Sequence, residues 1–145
     1  MSTAAPLRSY RTIATQTAPP GHLVLMLYEG AIRFLEQALA GFEHEDPLEF
    51  NVTINNNVLR AQEILIELDH SLDLPQGGDL ALTLRRLYDY MNRQLTLSNT
   101  RKSPEGIHDT IKRLSVLRDA WSEMLRQQSS LAAAPASFSR LAVAS

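Results

Sequence analysis

Apolar residues recur along this chain at the three- and four-residue spacing of α-helices in four successive stretches, separated by short segments rich in Pro, Gly, Asp and Ser. The first stretch runs from about Pro19 to Phe42. Leu25, Tyr28, Ile32, Leu35, Leu39 and Phe42 form one row, and Leu23, Leu27, Ala31, Phe34 and Ala38 form an adjoining one. Together the rows subtend about 200° of the helix, roughly twice the stripe of a one-sided surface helix, so this rod is expected to be covered on two sides. Gly30 in its middle costs about 1 kcal/mol relative to alanine, which points to a close approach by a neighbouring backbone or a ligand.

The boundaries of the other stretches are written in capping chemistry. Asp46-Pro47-Leu48-Glu49 reads as an N-cap, a proline at the first helical position and a capping-box glutamate, opening a second helix that lasts to about Leu72. Leu74-Pro75-Gln76-Gly77-Gly78 breaks the chain, and Asp79 is placed to cap a third helix reaching about Thr100. Ser103-Pro104-Glu105 repeats the cap-then-proline device and starts a fourth, predicted to end near Gln128. Helices of similar length joined by links of a few residues lie antiparallel to their neighbours. The expected fold is therefore all-α, an antiparallel up-down-up-down four-helix bundle over residues 19–128. A short N-terminal arm (1–18) precedes it and a mobile, Ala/Ser-rich tail (129–145) follows.

Placing residues at 100° intervals divides each helix into faces. In the second helix Ile54, Val58, Ala61, Leu65, Leu68 and Leu72 follow a 4-3-4-3-4 spacing and belong to the core. Leu80, Leu84, Leu87, Met91 and Leu95 do the same in the third, and Ile107, Ile111, Leu114, Leu117, Trp121 and Met124 in the fourth. Leu48, Val52, Leu59 and Ile66 fall roughly 120–160° from the second helix's inner seam, with Asn55 and Gln62 beside them. An aligned outward row of four large apolar residues is either covered by a neighbouring helix or the N-terminal arm, or is a surface for a partner. On the second reading the four side chains cover an apolar segment, Asn55 and Gln62 supply hydrogen bonds to its backbone, and Tyr90 and Leu97 of the third helix add to the wall.

Composition narrows the chemistry. The 145 residues are 44% hydrophobic and 21% charged, enough for one folded core. Cysteine is absent, which excludes disulfides, thiolate metal sites and a Cys nucleophile. No apolar run approaches the ~20 residues of a membrane span, and the first residues lack the apolar run of a signal peptide, so a cytoplasmic protein without stable membrane insertion is expected. The net charge of −2 hides a split: residues 19–79 hold 2 basic and 11 acidic side chains, residues 80–126 hold 9 basic and 5 acidic. With no Gly-rich loop and no aromatics among the arginines, the split reads better as an acidic helical pair against a basic one than as a nucleic-acid surface. Glu67-x-x-His70 and Glu105-x-x-His108 have the spacing of bundle metal ligands, but both point away from the inner seams and lie at opposite ends of the bundle, so neither metal nor cofactor is expected. No nucleophile elbow, phosphate loop or inward carboxylate pair supports an enzyme.

Particular strings then carry a resemblance. Tyr10, Thr15-Gln16-Thr17-Ala18 and the run from Leu23 to Leu35 come first. Arg60 to Leu68, Gly77-Gly78-Asp79-Leu80-Ala81, Leu87-Tyr88-Asp89-Tyr90-Met91 and Trp121 follow in order. Over about residues 10–126 they resemble the flagellar secretion chaperone FliS family. Glu29 stands where that family usually has Asp, and Thr83 where Asn often precedes the leucine, neither of them at a predicted core position. The resemblance implies a cytoplasmic chaperone that holds the C-terminal segment of newly made flagellin, blocks its premature polymerisation and passes it to a component of the flagellar type III export gate. It also implies an N-terminal arm, here with Tyr10, Ile13 and Thr15, that lies over part of the client surface. Unliganded, the protein is expected to be a monomer or weak homodimer. The alternative from another class is a regulatory or structural helical module that self-associates through the same outward stripe.

Overall fold

Helix boundaries fall where the backbone finds partners for its end groups. Asp46 is extended (φ −68°, ψ 123°) and its carboxylate accepts a hydrogen bond from the Glu49 N–H at 3.0 Å, with Pro47 in the first turn. The computed structural model describes residues 20–132 as four helices, α1 (Pro20–Gly41), α2 (Pro47–His70), α3 (Leu74–Arg101) and α4 (Glu105–Ala132), with no strand among the described residues. The N-terminal arm with Tyr10 and Ile13, and most of the expected tail, lie outside them. The fourth helix runs to Ala132, four residues beyond the expected end at Gln128.

The third helix starts earlier than expected, at Leu74, with Asp73 rather than Asp79 as its N-cap, and the expected break survives only at Gly78. Asp73 caps one helical turn by accepting from the Gln76 N–H at 3.2 Å, and Gly78 (φ 55°, ψ −134°) then interrupts it before the helix resumes. Only glycine occupies this backbone region without strain. At the far end of α3, Lys102 takes the left-handed conformation (φ 50°, ψ 53°), and both its N–H and that of Ser103 return to the Ser98 carbonyl. The Lys102 ammonium caps the same end by donating to the Asn99 carbonyl at 2.8 Å.

The helices form a closed square in which α1 packs on α2 and α4, and α3 packs on the same two. Successive helices are antiparallel, as the short links require. Phe42 and Phe50 meet edge-to-face at 5.4 Å beside the first turn, and Trp121 of α4 donates its indole N–H to the Gly21 carbonyl at the start of α1, 2.7 Å away. Gly106 lets α4 approach α3: a Cβ there would lie 2.8 Å from the Gln94 backbone oxygen and against the Ser98 hydroxyl. Leu35, Ile54, Val58, Leu65, Leu68, Met91, Leu95, Ile107 and Leu114 are fully buried between the rods, each contributing about 1.5–3 kcal/mol by leaving water. Trp121 is half-buried and packs against this core. One expected core residue is misplaced: Leu80 is 69% exposed. It stands in the first turn after the Gly78 break, at the end of the bundle where no helix covers it. The seam of α3 runs instead through Ala81, Leu84, Tyr88, Met91, Leu95 and Ser98.

A polar contact crosses the square diagonally. Tyr28 of α1 and Tyr88 of α3, both 2% exposed, share a hydrogen bond between hydroxyls at 2.6 Å. Burial pushes both phenols above the ordinary tyrosine pKa, so both stay protonated and the shared bond persists through neutral pH. Tyr28→Phe orphans the Tyr88 hydroxyl and is expected to cost about 1–3 kcal/mol, whereas Tyr28→Phe with Tyr88→Phe recovers most of that loss. Urea titration of the three variants checks the sign of the coupling. Gly78→Ala meets no atom within 4 Å, so its expected loss of about 1–3 kcal/mol is backbone strain alone. A thermal midpoint equal to wild type would contradict it.

Candidate binding groove

Two seams run along α2 out of phase with each other. The inner one carries the buried Ile54, Val58, Ala61, Leu65 and Leu68. The outer one carries Leu48, Val52, Leu59 and Ile66, which are 70%, 46%, 38% and 48% exposed. Among the described residues neither a helix nor a turn seals that outer row.

Between its apolar members the outer seam spends every seventh residue on α3. Asn55 Oδ1 accepts from the Asn99 side-chain amide at 2.9 Å. Gln62 donates its amide to the Asn92 carbonyl at 3.1 Å and to Thr96 Oγ1 at 2.9 Å. Asp69 pairs with Arg85 Nε at 3.1 Å. Residues 55, 62 and 69 ascend α2 as 99, 92 and 85 descend α3, the register of two antiparallel helices in heptad step. These three rungs join the helices without using an apolar side chain, and a groove of about 690 Å³ opens above them. Leu59, Gln62, Glu63 and Ile66 of α2 and Asn92, Arg93, Thr96 and Leu97 of α3 line it.

The residues expected at this surface separate into groups. Leu59, Gln62, Ile66 and Leu97 come together in the groove. Leu48 and Val52 continue the exposed row toward the α1–α2 turn without lining it. Asn55 and Gln62 each spend half of the side-chain amide on α3, Asn55 through Oδ1 and Gln62 through Nε2. Tyr90 is a correction of another kind. Its ring sits beneath the Arg113 guanidinium of α4 at 4.8 Å and packs on the core, outside the groove lining. Tyr90 and Leu97 stand about two turns apart at nearly the same angle on α3, but Arg113 of α4 covers Tyr90 while Leu97 stays open. The polar α3 wall of Asn92, Thr96 and Asn99 was not anticipated. Its signal was available, since the seven-residue spacing of Asn55, Gln62 and Asp69 is mirrored in reverse on α3.

Among the described residues there is no group of three or more His, Asp or Glu able to hold a metal ion, and no helix is long and apolar enough to cross a membrane. His70 and His108 are both exposed and stand on different helices near opposite ends.

A closed square of four helices with an open apolar trough along one outer seam defines the class: an all-α bundle that presents a surface groove. The family model described as flagellar protein FliS matches residues 3–128, and the chain belongs to that family. Relatives named flagellar secretion chaperone FliS come from Bacillus subtilis (30% identical, covering 85% of this chain and 88% of the relative), Salmonella typhimurium (31%, covering 86% and 93%) and Campylobacter jejuni (35%, covering 72% and 79%). Chaperones are not enzymes, and the names of these relatives indicate no catalytic activity.

The two seams of α2 predict opposite outcomes at adjacent positions. Leu65→Asp places a carboxylate in a fully buried site at a cost of several kcal/mol, a large part of a domain's total stability, and is expected to unfold the protein. Ile66→Asp adds a charge to a half-open surface and should leave the melting temperature nearly unchanged. Circular dichroism melts of both variants test the assignment of faces.

Proposed function

We propose that this protein is a cytoplasmic export chaperone that binds the C-terminal segment of flagellin, prevents its premature polymerisation and delivers it to the flagellar type III secretion apparatus. The carrying observation is the row Leu48, Val52, Leu59 and Ile66, left at the surface by the bundle's own packing and opening at Leu59 and Ile66 into the groove between α2 and α3. Membership of a family whose relatives are named flagellar secretion chaperones supports the same reading.

The physics of the task favours such a site. A polymerising segment has to be kept apart from its own kind before export and released intact afterwards. Laying its apolar face on an exposed row removes that face from solution, while the entropy lost in ordering a disordered client limits the net affinity. Helix-in-groove recognition needs anchors at helical spacing, and Leu59 and Ile66 are seven residues apart on one face. The three polar rungs keep that face at a constant distance from α3, so the site is formed before the client arrives.

Calorimetric titration of flagellin, intact and lacking its C-terminal segment, tests the reading: the intact chain should bind and the truncated chain should not. Ile66→Asp should weaken capture at least tenfold, since burying an isoleucine is worth about 1.5–3 kcal/mol. Equal binding by Ile66→Asp would remove the outer row from the client surface. A tight homodimer in light scattering, with no affinity for flagellin, would favour a self-associating module instead.

A further inference from the structure

The α3 wall of the groove holds a side chain that the bundle leaves unused. Asn92 lines the groove and also a recess of about 520 Å³ that adjoins it toward the α2–α3 turn. Its main-chain carbonyl is engaged, accepting from Gln62 Nε2 at 3.1 Å and from the Thr96 hydroxyl at 3.1 Å. Its side-chain amide makes no hydrogen bond to a described residue, and Oδ1 is buried without a partner. Asparagine is a poor helix former away from a cap, and Asn92 stands well inside α3. The side chain therefore neither favours its own helix nor ties it to a neighbour, and a buried polar atom left in that state calls for a reason.

A client laid in the groove brings a matching need. When its apolar side chains cover Leu59, Ile66 and Leu97, its main chain is drawn against the same walls, and each N–H and C=O shut off from water there requires a partner. A regular helix supplies its own, but the groups at a helix end or break stay unpaired. The bundle has no sheet edge to offer them, because the described residues contain no strand. A side chain has to take that part, and the carboxamide of asparagine carries a donor and an acceptor, as a peptide group does.

Resting on the proposed flagellin-binding role of the groove, we propose that the Asn92 side-chain amide pairs with one main-chain peptide group of the client that the client's own helix leaves unpaired. The last torsion of an asparagine side chain is loosely held. Oδ1 can thus turn from the wall into the groove, and it gives up no hydrogen bond in doing so. Already removed from water in the free protein, it also gains the client's bond without a fresh desolvation cost. The apolar anchors decide which face of the client is covered. Asn92 decides which peptide group lies between α2 and α3, and so the client's register.

The test uses the full-length protein and synthetic peptides of the flagellin C-terminal segment in which one amide at a time is replaced by an ester, which deletes the N–H and weakens the adjoining carbonyl as an acceptor. Asn92→Ala removes an orphaned polar group and installs a better helix former, so its thermal midpoint should equal or exceed that of wild type. Its affinity for the all-amide peptide should nevertheless fall about three- to tenfold. An asparagine that served only the fold would lower the midpoint and leave the affinity alone. In wild type one or two ester positions should cost a similar factor, and in Asn92→Ala those same positions should cost nothing further, the non-additivity of a direct contact. Unchanged affinity in Asn92→Ala, or ester losses equal in the two proteins, overturns the assignment of Asn92 but leaves the groove as the client site. Failure of the all-amide peptide to bind wild type overturns the groove reading and this inference together.

Discussion

A helix in a four-helix square has two neighbours, and α2 meets them by different means. Toward the core and α1 it uses a heptad row of Ile54, Val58, Ala61, Leu65 and Leu68, sealed from water. Toward α3 it uses Asn55, Gln62 and Asp69, each bonded across the seam. Because the second contact is polar, the apolar residues interleaved with it are not consumed in holding the bundle together. Leu59 and Ile66 stay at the surface beside this polar ladder, which borders the groove on the outer side while the buried side chains of α2 and α3 share the core. Exposed, such bonds contribute modestly one by one; as a ladder in one register they also disfavour a slipped pairing of the two helices.

The same economy governs the interior. Across the diagonal the Tyr28–Tyr88 hydroxyl pair satisfies two buried polar groups with each other. At the ends, Asp46 and Asp73 close the starts of α2 and α3, and Trp121 ties α4 to the beginning of α1 through the Gly21 carbonyl. The split of charge along the chain has a place in this frame. The acid-rich α2 lies beside the arginine-rich α3, and Asp69–Arg85 joins them at the turn where the sign of the sequence changes. The polar α3 wall and the apolar α2 wall give the groove two unlike sides.

Family membership and packing geometry answer different questions about this chain. Matching of residues 3–128 to the FliS family says which proteins this chain is related to. The outward row says which face has apolar area left over after the bundle has formed.

The sequence by itself determined the number of helices, their order, most of their boundaries and the inner seam of α2. Those follow from capping side chains, Pro and Gly positions, and a 3.6-residue period that are local properties of the chain. It also separated Leu65 from Ile66, because adjacent helical residues differ by about 100° whatever surrounds them. Only the tertiary structure decided which outward residues meet a neighbour. Tyr90 and Leu97 share an angle on α3, yet one lies beneath Arg113 and the other lines the groove. Leu80 fits the core period and is exposed because the bundle ends there. Asn55 and Gln62 sit beside the apolar row, but Asn55 Oδ1 and Gln62 Nε2 bond to α3. The physical reason is common to all of these: helical periodicity gives the direction of a side chain from its own axis, while burial and bonding depend on how far a second axis stands in that direction, and that distance is set by the packing of all four helices.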